Sequence, residues 1–337
     1  MSSYSMGDMA QSQMLSRRNS YLKQQMSQLT EELSSGRTAD VARKLSGDYS
    51  QLIDIERTMR TLDGFKTAVN EASAYADAMQ KTLDHMQANS SAFSSELLAS
   101  GASNIPQVVD TSAKQAANQL DAMISSLNGQ VAGRSLFGGI STDRAPMIDS
   151  STLLNEARNA ITAAGAVTFG DIQTAVANWF NNPAGFDAIA YQGSNIALSP
   201  FQLGQGEQVS LDIKANDPAI RDLLRHTVLA ALSTDSSLGL SLQDQSALMN
   251  SSGIGIFEAG RDITGLRANV GAVEAQIDQR ATRIAAERTS SEYAKGALLG
   301  IDQYEAATRL EEVQFQLESL YSVTVRLSRL SLLNYMQ

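Results

Sequence analysis

Cysteine is absent from the chain, which removes thiol catalysis, disulfide stapling and any metal site built on thiolates. Histidine occurs only at His85 and His226, set apart and without the HExxH spacing of a helical metal site, so both are expected to be surface or packing residues. Tryptophan occurs once, at Trp179, and most of the five prolines fall between 143 and 217. Basic residues are outnumbered, 26 Lys and Arg against 36 Asp and Glu, and they form no cluster. A net charge of -10 without a basic stripe argues against nucleic-acid binding. No apolar run approaches the roughly 18 to 20 residues that cross a bilayer, so no membrane insertion is expected. The first twenty residues are rich in Ser, Met and Gln and lack the apolar core of a secretory signal, so no cleaved leader is expected either.

What the chain does contain is helical periodicity at both ends. In 310–336, Leu310, Val313, Leu317 and Leu320 recur at alternating three- and four-residue steps, the spacing of a helix seam. Thr324 then stands where an apolar residue is due; Leu327 resumes the stripe, which broadens through Val323, Leu330 and Leu333. Near the other end Leu15, Leu22, Met26, Leu29 and Leu33 keep the same rhythm, with Asn19 at a core-type position. Burying one Leu side chain is worth roughly 1.5 to 3 kcal/mol, so these termini need each other, a chaperone or neighbouring subunits. These apolar residues, Val323 excepted, are the twelve candidate subunit-assembly positions.

Between the termini, Ser34-Ser35-Gly36 stops the first helix and a connector follows over 37–48. A helix of roughly 50 residues is predicted from Tyr49, uninterrupted by proline although Gly64 lies in it. Pro106 opens a third helix over 107–131, and Gly133 to Gly139 brackets a turn or short hairpin. Period-two alternation at 195–198 and 208–213 predicts strands, with helices at 153–163 and 171–180 in the same region. A helix starts at Pro218 and runs to about 232, a Ser/Gly-rich connection is expected over 233–255, and a last long helical stripe carries Ile263, Leu266, Val270, Val273, Ile277, Ile284 and Ala285 up to a soft point at 295–300.

The resulting fold class is mainly α, with long terminal helices forming a coiled-coil or helical-bundle stem around a small inserted α+β domain. The divisions are 1–48, an N-terminal assembly helix and connector; 49–140, the first half of the stem; 141–217, the insert; 218–295, the second half of the stem; and 296–337, the C-terminal assembly helix. Nothing in this layout foreshadows catalysis. Gly204-Gln205-Gly206 and Gly253-Ile254-Gly255 lack the third glycine or Lys-Ser/Thr of a phosphate loop and are expected to be turns; Ser135 lacks a GxSxG elbow, and Glu311-Glu312 reads as a solvated face. No cofactor, metal or catalytic residue is expected.

Four short motifs give the chain a resemblance. Leu29-Thr30-Glu31-Glu32-Leu33-Ser34-Ser35-Gly36-Arg37 is similar to the "helix then Ser-Gly-Arg/Lys" signature of the flagellin superfamily. Arg134-Ser135-Leu136-Phe137-Gly138-Gly139 with Pro146 resembles its "LF-small-G … P" turn, Tyr191-Gln192-Gly193 the entry into the inserted region of the hook-filament junction branch, and Leu327 to Tyr335 that branch's Leu-Ser-Leu-aromatic-Asp-Tyr ending. Around Leu45-Ser46-Gly47-Asp48 the branch's usual proline is missing. The resemblance implies a structural protein of the bacterial flagellum, exported by its type III apparatus and extracellular. The implied partners are identical subunits in a ring, flagellin, another hook-associated protein, and an export chaperone at the C-terminal helix. Filament flagellin remains an alternative, and a cytoplasmic signalling coiled coil is the alternative of another class.

Overall fold

A computed structural model describes the backbone of residues 3–335 and the side chains of 9–327. The helices are α1 (Ser3–Ser35), α2 (Val41–Lys44), α3 (Ser50–Ser103), α4 (Pro106–Leu127), α5 (Ser150–Ala163), α6 (Phe169–Asn181), α7 (Phe186–Ile189), α8 (Pro218–Leu232), α9 (Leu242–Leu299) and α10 (Gln303–Tyr335). Two antiparallel hairpins complete the set, β1 (Gln130–Val131) with β2 (Arg134–Ser135) and β3 (Phe201–Gly204) with β4 (Glu207–Val209). The architecture is thus mainly α with a small amount of sheet. The chain divides into two compact units, Met1–Asp63 with Ala285–Gln337, and Gly64–Ile284.

In the second unit, α3 buries Val69, Ala76, Leu83, Ser90 and Leu97 at seven-residue steps, with Ala72, Met79, Met86, Phe93 and Ser100 three positions further on. Along α9, Ile256, Ile263, Val270 and Ile277 repeat at the same interval. A seven-residue repeat keeps one seam facing a partner, and the two helices run antiparallel: Arg267 pairs with Asp84 at 2.8 Å, and the Gln87 amide donates to Thr264 Oγ1 at 2.9 Å. Nearer the end of α3 the approach is closer. A Cβ at Gly253 would lie 3.0 Å from Ser94 O, and one at Gly101 would lie 2.8 Å from Ser246 O.

Local chemistry sets the smaller elements. Asp149 accepts from Thr152 N at 2.9 Å and caps α5, Thr168 and Asp171 form a reciprocal capping box on α6, and Asp217 precedes Pro218 at the first turn of α8. Three amide and hydroxyl donors hold the Asp149 carboxyl far below the usual carboxylate range. Trp179, Phe180 and Phe186 form an aromatic cluster beside α7. Residues 141–217 carry α5, α6, α7 and the β3–β4 hairpin, and α5 and α6 share packing with α8.

The structure departs from expectation at several places. The helix expected over 107–131 ends at Leu127, and Gln130–Val131 form β1 instead. Of the strand expected over 208–213, only the part up to Val209 forms, in β4. Residues 195–198 form no strand; Ile140 N instead donates to Ile196 O, and Ser194 N to Gly138 O, so this segment wraps the Gly138–Gly139 turn. The stretch 242–255 is helix, not connection, so Gly253 and Gly255 lie inside α9 and not in a turn. The soft point narrows to 300–302, because α9 continues to Leu299. Gly204 to Gly206 does form the β3–β4 turn, with Gly206 at φ +76°.

Candidate assembly surface of the terminal helices

In the first unit the two terminal helices pack on each other. Leu22 from α1 meets Val313 and Leu317 from α10 in a small core, against which Met26, Leu29 and Leu320 are packed. Six of the twelve candidate positions are therefore brought together. Leu15, Leu33, Leu310 and Leu327 lie half-buried on the same helices, outside that cluster. The side chains of Leu330 and Leu333 lie outside the described residues. Asn19 sits half-buried in the N-terminal seam with Oδ1 making no hydrogen bond inside the chain.

The helix breaks below this pair are tied together. Gly36 adopts φ +67°, a left-handed conformation that ends α1. Arg37 then bridges antiparallel to Gly300, where α9 gives way to α10; Thr38 N donates to Leu299 O at 2.9 Å and Ile301 N to Gly36 O at 3.3 Å. Glu32 supports the turn by accepting from Ala39 N at 2.9 Å and Thr38 Oγ1 at 3.2 Å, and Lys44 Nζ reaches Gly300 O at 2.9 Å. Further along the unit, Lys295 pairs with Glu56 at 2.7 Å, a contact that holds the Glu56 carboxyl below its ordinary value, and Arg288 pairs with Asp63 at 2.9 Å. These pairs are largely solvated and contribute little to stability.

The seams are only part of the apolar surface. Phe315 is 70% exposed and Tyr304 84%, and Tyr321, Val323 and Val325 are also exposed on α10, as are Met9, Met14 and Tyr21 on α1. Val323 belongs to the broadened stripe, but sequence periodicity passes over the others because they fall out of phase with the seam; their signal is that apolar residues continue on a second face. A cleft of about 280 Å³ opens between the helices, lined by Arg18, Leu22, Phe315, Leu320 and Val323. Among the described residues, three buried side chains form the core cluster between these two 33-residue helices, and isolated helices are marginal in water without packing.

Elsewhere, His85 is exposed, and His226 packs between α8 and α9 with its pKa pushed down to about 4 by burial and by Arg225. Ser135 serves the fold through its carbonyl, which accepts from the buried Tyr75 hydroxyl, and Glu311 and Glu312 are exposed. Burial likewise raises Tyr191 to about 12, its hydroxyl donating to Ser194 O at 2.9 Å.

The terminal helices, packed on each other with their breaks cross-bonded, define a helical protein with a paired terminal seam. Residues 255–336, from inside α9 to the end of α10, match the family model described as the bacterial flagellin C-terminal helical region. The fold is similar to that of a solved structure from Vibrio parahaemolyticus described as a flagellar hook-associated protein: TM-score 0.54, 14% sequence identity, 75% of this chain and 99% of that one covered. No curated protein sequence matches the chain. The family-model match is confined to 255–336, and the likeness to the Vibrio parahaemolyticus structure is one of fold.

Proposed function

We propose that the protein joins the flagellar hook to the filament, as a ring of identical subunits between another hook-associated protein and flagellin. The observation that carries the assembly role is the helix pair α1 and α10: it buries one seam and leaves Phe315, Tyr321, Val323 and Val325 uncovered on α10. Neighbouring subunits would complete that core. In this reading the chain leaves the cell through the flagellar type III apparatus, with a chaperone covering the C-terminal stripe, and the terminal helices reach their full packing only on assembly.

The position at the junction is supported by the ending Leu327 to Tyr335 and by the likeness in fold to a hook-associated protein. The match of 255–336 to a flagellin region keeps filament flagellin as the second reading. A deletion strain separates the two. A junction protein predicts cells without filaments that shed intact flagellin into the medium; loss of the flagellin band itself would refute the junction and favour the filament.

A further inference from the structure

The carboxamide of Asn128 is held from both sides. The residue stands at the C-cap of α4 with ψ 5°. Its Oδ1 accepts from Met147 N at 2.9 Å and its Nδ2 donates to Met147 O at 3.1 Å. A backbone amide only donates and a carbonyl only accepts, so this pairing fixes which end of the carboxamide lies where. It joins the end of α4 to the segment that bridges Tyr191 and leads into α5.

The next residue is glycine for a separate reason. A Cβ at Gly129 would lie 2.9 Å from Ser126 O, the carbonyl to which Gly129 N donates at 3.1 Å. Gly129 O in turn accepts from Leu136 N at 3.3 Å. The fold thus asks for a carboxamide at 128 and for glycine at 129, and together they make the sole Asn-Gly pair of the sequence.

That pair is chemically labile. Because glycine carries no Cβ and turns freely, the Gly129 amide nitrogen can attack Cγ of Asn128. A C–N bond then closes a five-membered succinimide, the Cγ–Nδ2 bond breaks, and ammonia leaves with the proton the nitrogen gives up. Water opens the ring at either carbonyl, leaving an aspartyl or isoaspartyl residue and one added negative charge. Ring closure needs the Gly129 nitrogen swung toward Cβ about the Cα–C bond. At ψ 5° that nitrogen instead eclipses the backbone nitrogen of Asn128, its N–H is bonded to Ser126 O, and the target carboxamide is bonded to Met147.

We propose that Asn128 is a self-modification site that folding holds shut, so that a chain left unfolded acquires a lasting covalent mark that loosens this corner. A carboxylate at 128 has no hydrogen to offer Met147 O, and its oxygen faces that carbonyl at a half-buried position. An isoaspartyl link adds a methylene to the main chain just before β1.

The test incubates the full chain at mildly alkaline pH, folded in buffer or unfolded in guanidinium chloride, and follows tryptic peptide 115–134 by mass spectrometry. Conversion of amide to acid is expected at Asn128 in the unfolded chain and at least about tenfold more slowly in the folded one, where the reaction waits on local opening. Fragmentation separates Asn128 from Asn118, which precedes Gln119 and should stay unmodified over the same period. Asn128→Asp, which imitates one product, should unfold at lower urea concentration than the parent and exchange the Met147 amide faster. Equal rates in the two states, modification at Asn118 in place of Asn128, or an Asn128→Asp chain as stable as the parent would overturn the proposal. The rate comparison uses the parent chain alone, so it decides even where the variant does not fold.

Discussion

Gly255 makes the sharpest claim about packing in the second unit. It lies in α9 against the imidazole of His226, and a Cβ there would fall less than 3.0 Å from three ring atoms, Cε1, Nδ1 and Nε2. Alanine in place of glycine normally favours a helix interior by roughly 0.5 to 1 kcal/mol. Overpacking a formed core costs about 1 to 3 kcal/mol, and the ring has little room because its Nδ1 is already fully buried. The clash should win, so Gly255→Ala is expected to destabilise by about 1 to 2 kcal/mol. Urea unfolding of the full chain, followed by fluorescence, reads this directly. Trp179 is the sole tryptophan and lies in the same unit, its ring centred 5.1 Å from Phe180 and 6.2 Å from Phe186. His226→Ala removes the obstacle, so the double variant should be more stable than the two single losses add up to, with a coupling of about 1 to 2 kcal/mol. A Gly255→Ala chain as stable as the parent, or a double variant whose losses simply add, would refute the argument.

Three other outcomes follow from the same coordinates. His226 has its folded pKa depressed from 6.5 to about 4, so the unfolded chain binds more protons between those values; its contribution is fully present above pH 6.5 and lost as pH falls toward 4, by about 2 to 3 kcal/mol, and His226→Ala should flatten that part of the urea-midpoint profile relative to the parent. Arg280 donates from Nε to Leu203 O at 2.9 Å, approaches Glu207 at 3.3 Å and lies over the Phe65 ring, so Arg280→Met should cost about 2 to 3 kcal/mol and raise hydrogen exchange in β3 and β4. Leu317→Ala should remove roughly 2 to 4 kcal/mol from the terminal pair and reduce incorporation into flagella, scored by immunoblot of sheared filaments and by swimming; normal swimming at normal abundance would contradict the assembly role of the seam.

Periodicity located most helices well, because a strong apolar phase survives without knowledge of its partner. The range expected from Pro218 coincides with α8, and the long helix expected from Tyr49 is α3. The start of α9 was illegible for a physical reason. Ser246, Ser252, Gly253 and Gly255 resemble a linker in composition, yet small residues there let α3 and His226 come close. Composition that signals a loop in isolation signals tight helix packing once the neighbour is present. The alternation at Val209, Leu211 and Ile213 did report burial, since all three are buried, but only Glu207–Val209 finds a ladder partner. Of the candidate assembly surface, the packing of Leu22 on Val313 and Leu317 follows the spacing in the sequence, whereas the exposed, out-of-phase Phe315 and Val325 became visible only once that seam had been placed.

The β-bridge that pairs Arg37 with Gly300 gives the terminal helices a mechanical property. Tension on α1 passes through Gly36 and Thr38, and tension on α10 through Gly300 and Leu299, so a pull on both termini is carried by two chains side by side. The cross-bonds between those chains, Thr38 N to Leu299 O and Ile301 N to Gly36 O, share a load applied to one of them with the other. In the role proposed above, such a doubled tether would keep the subunit attached under load, its second cord holding when the first is strained.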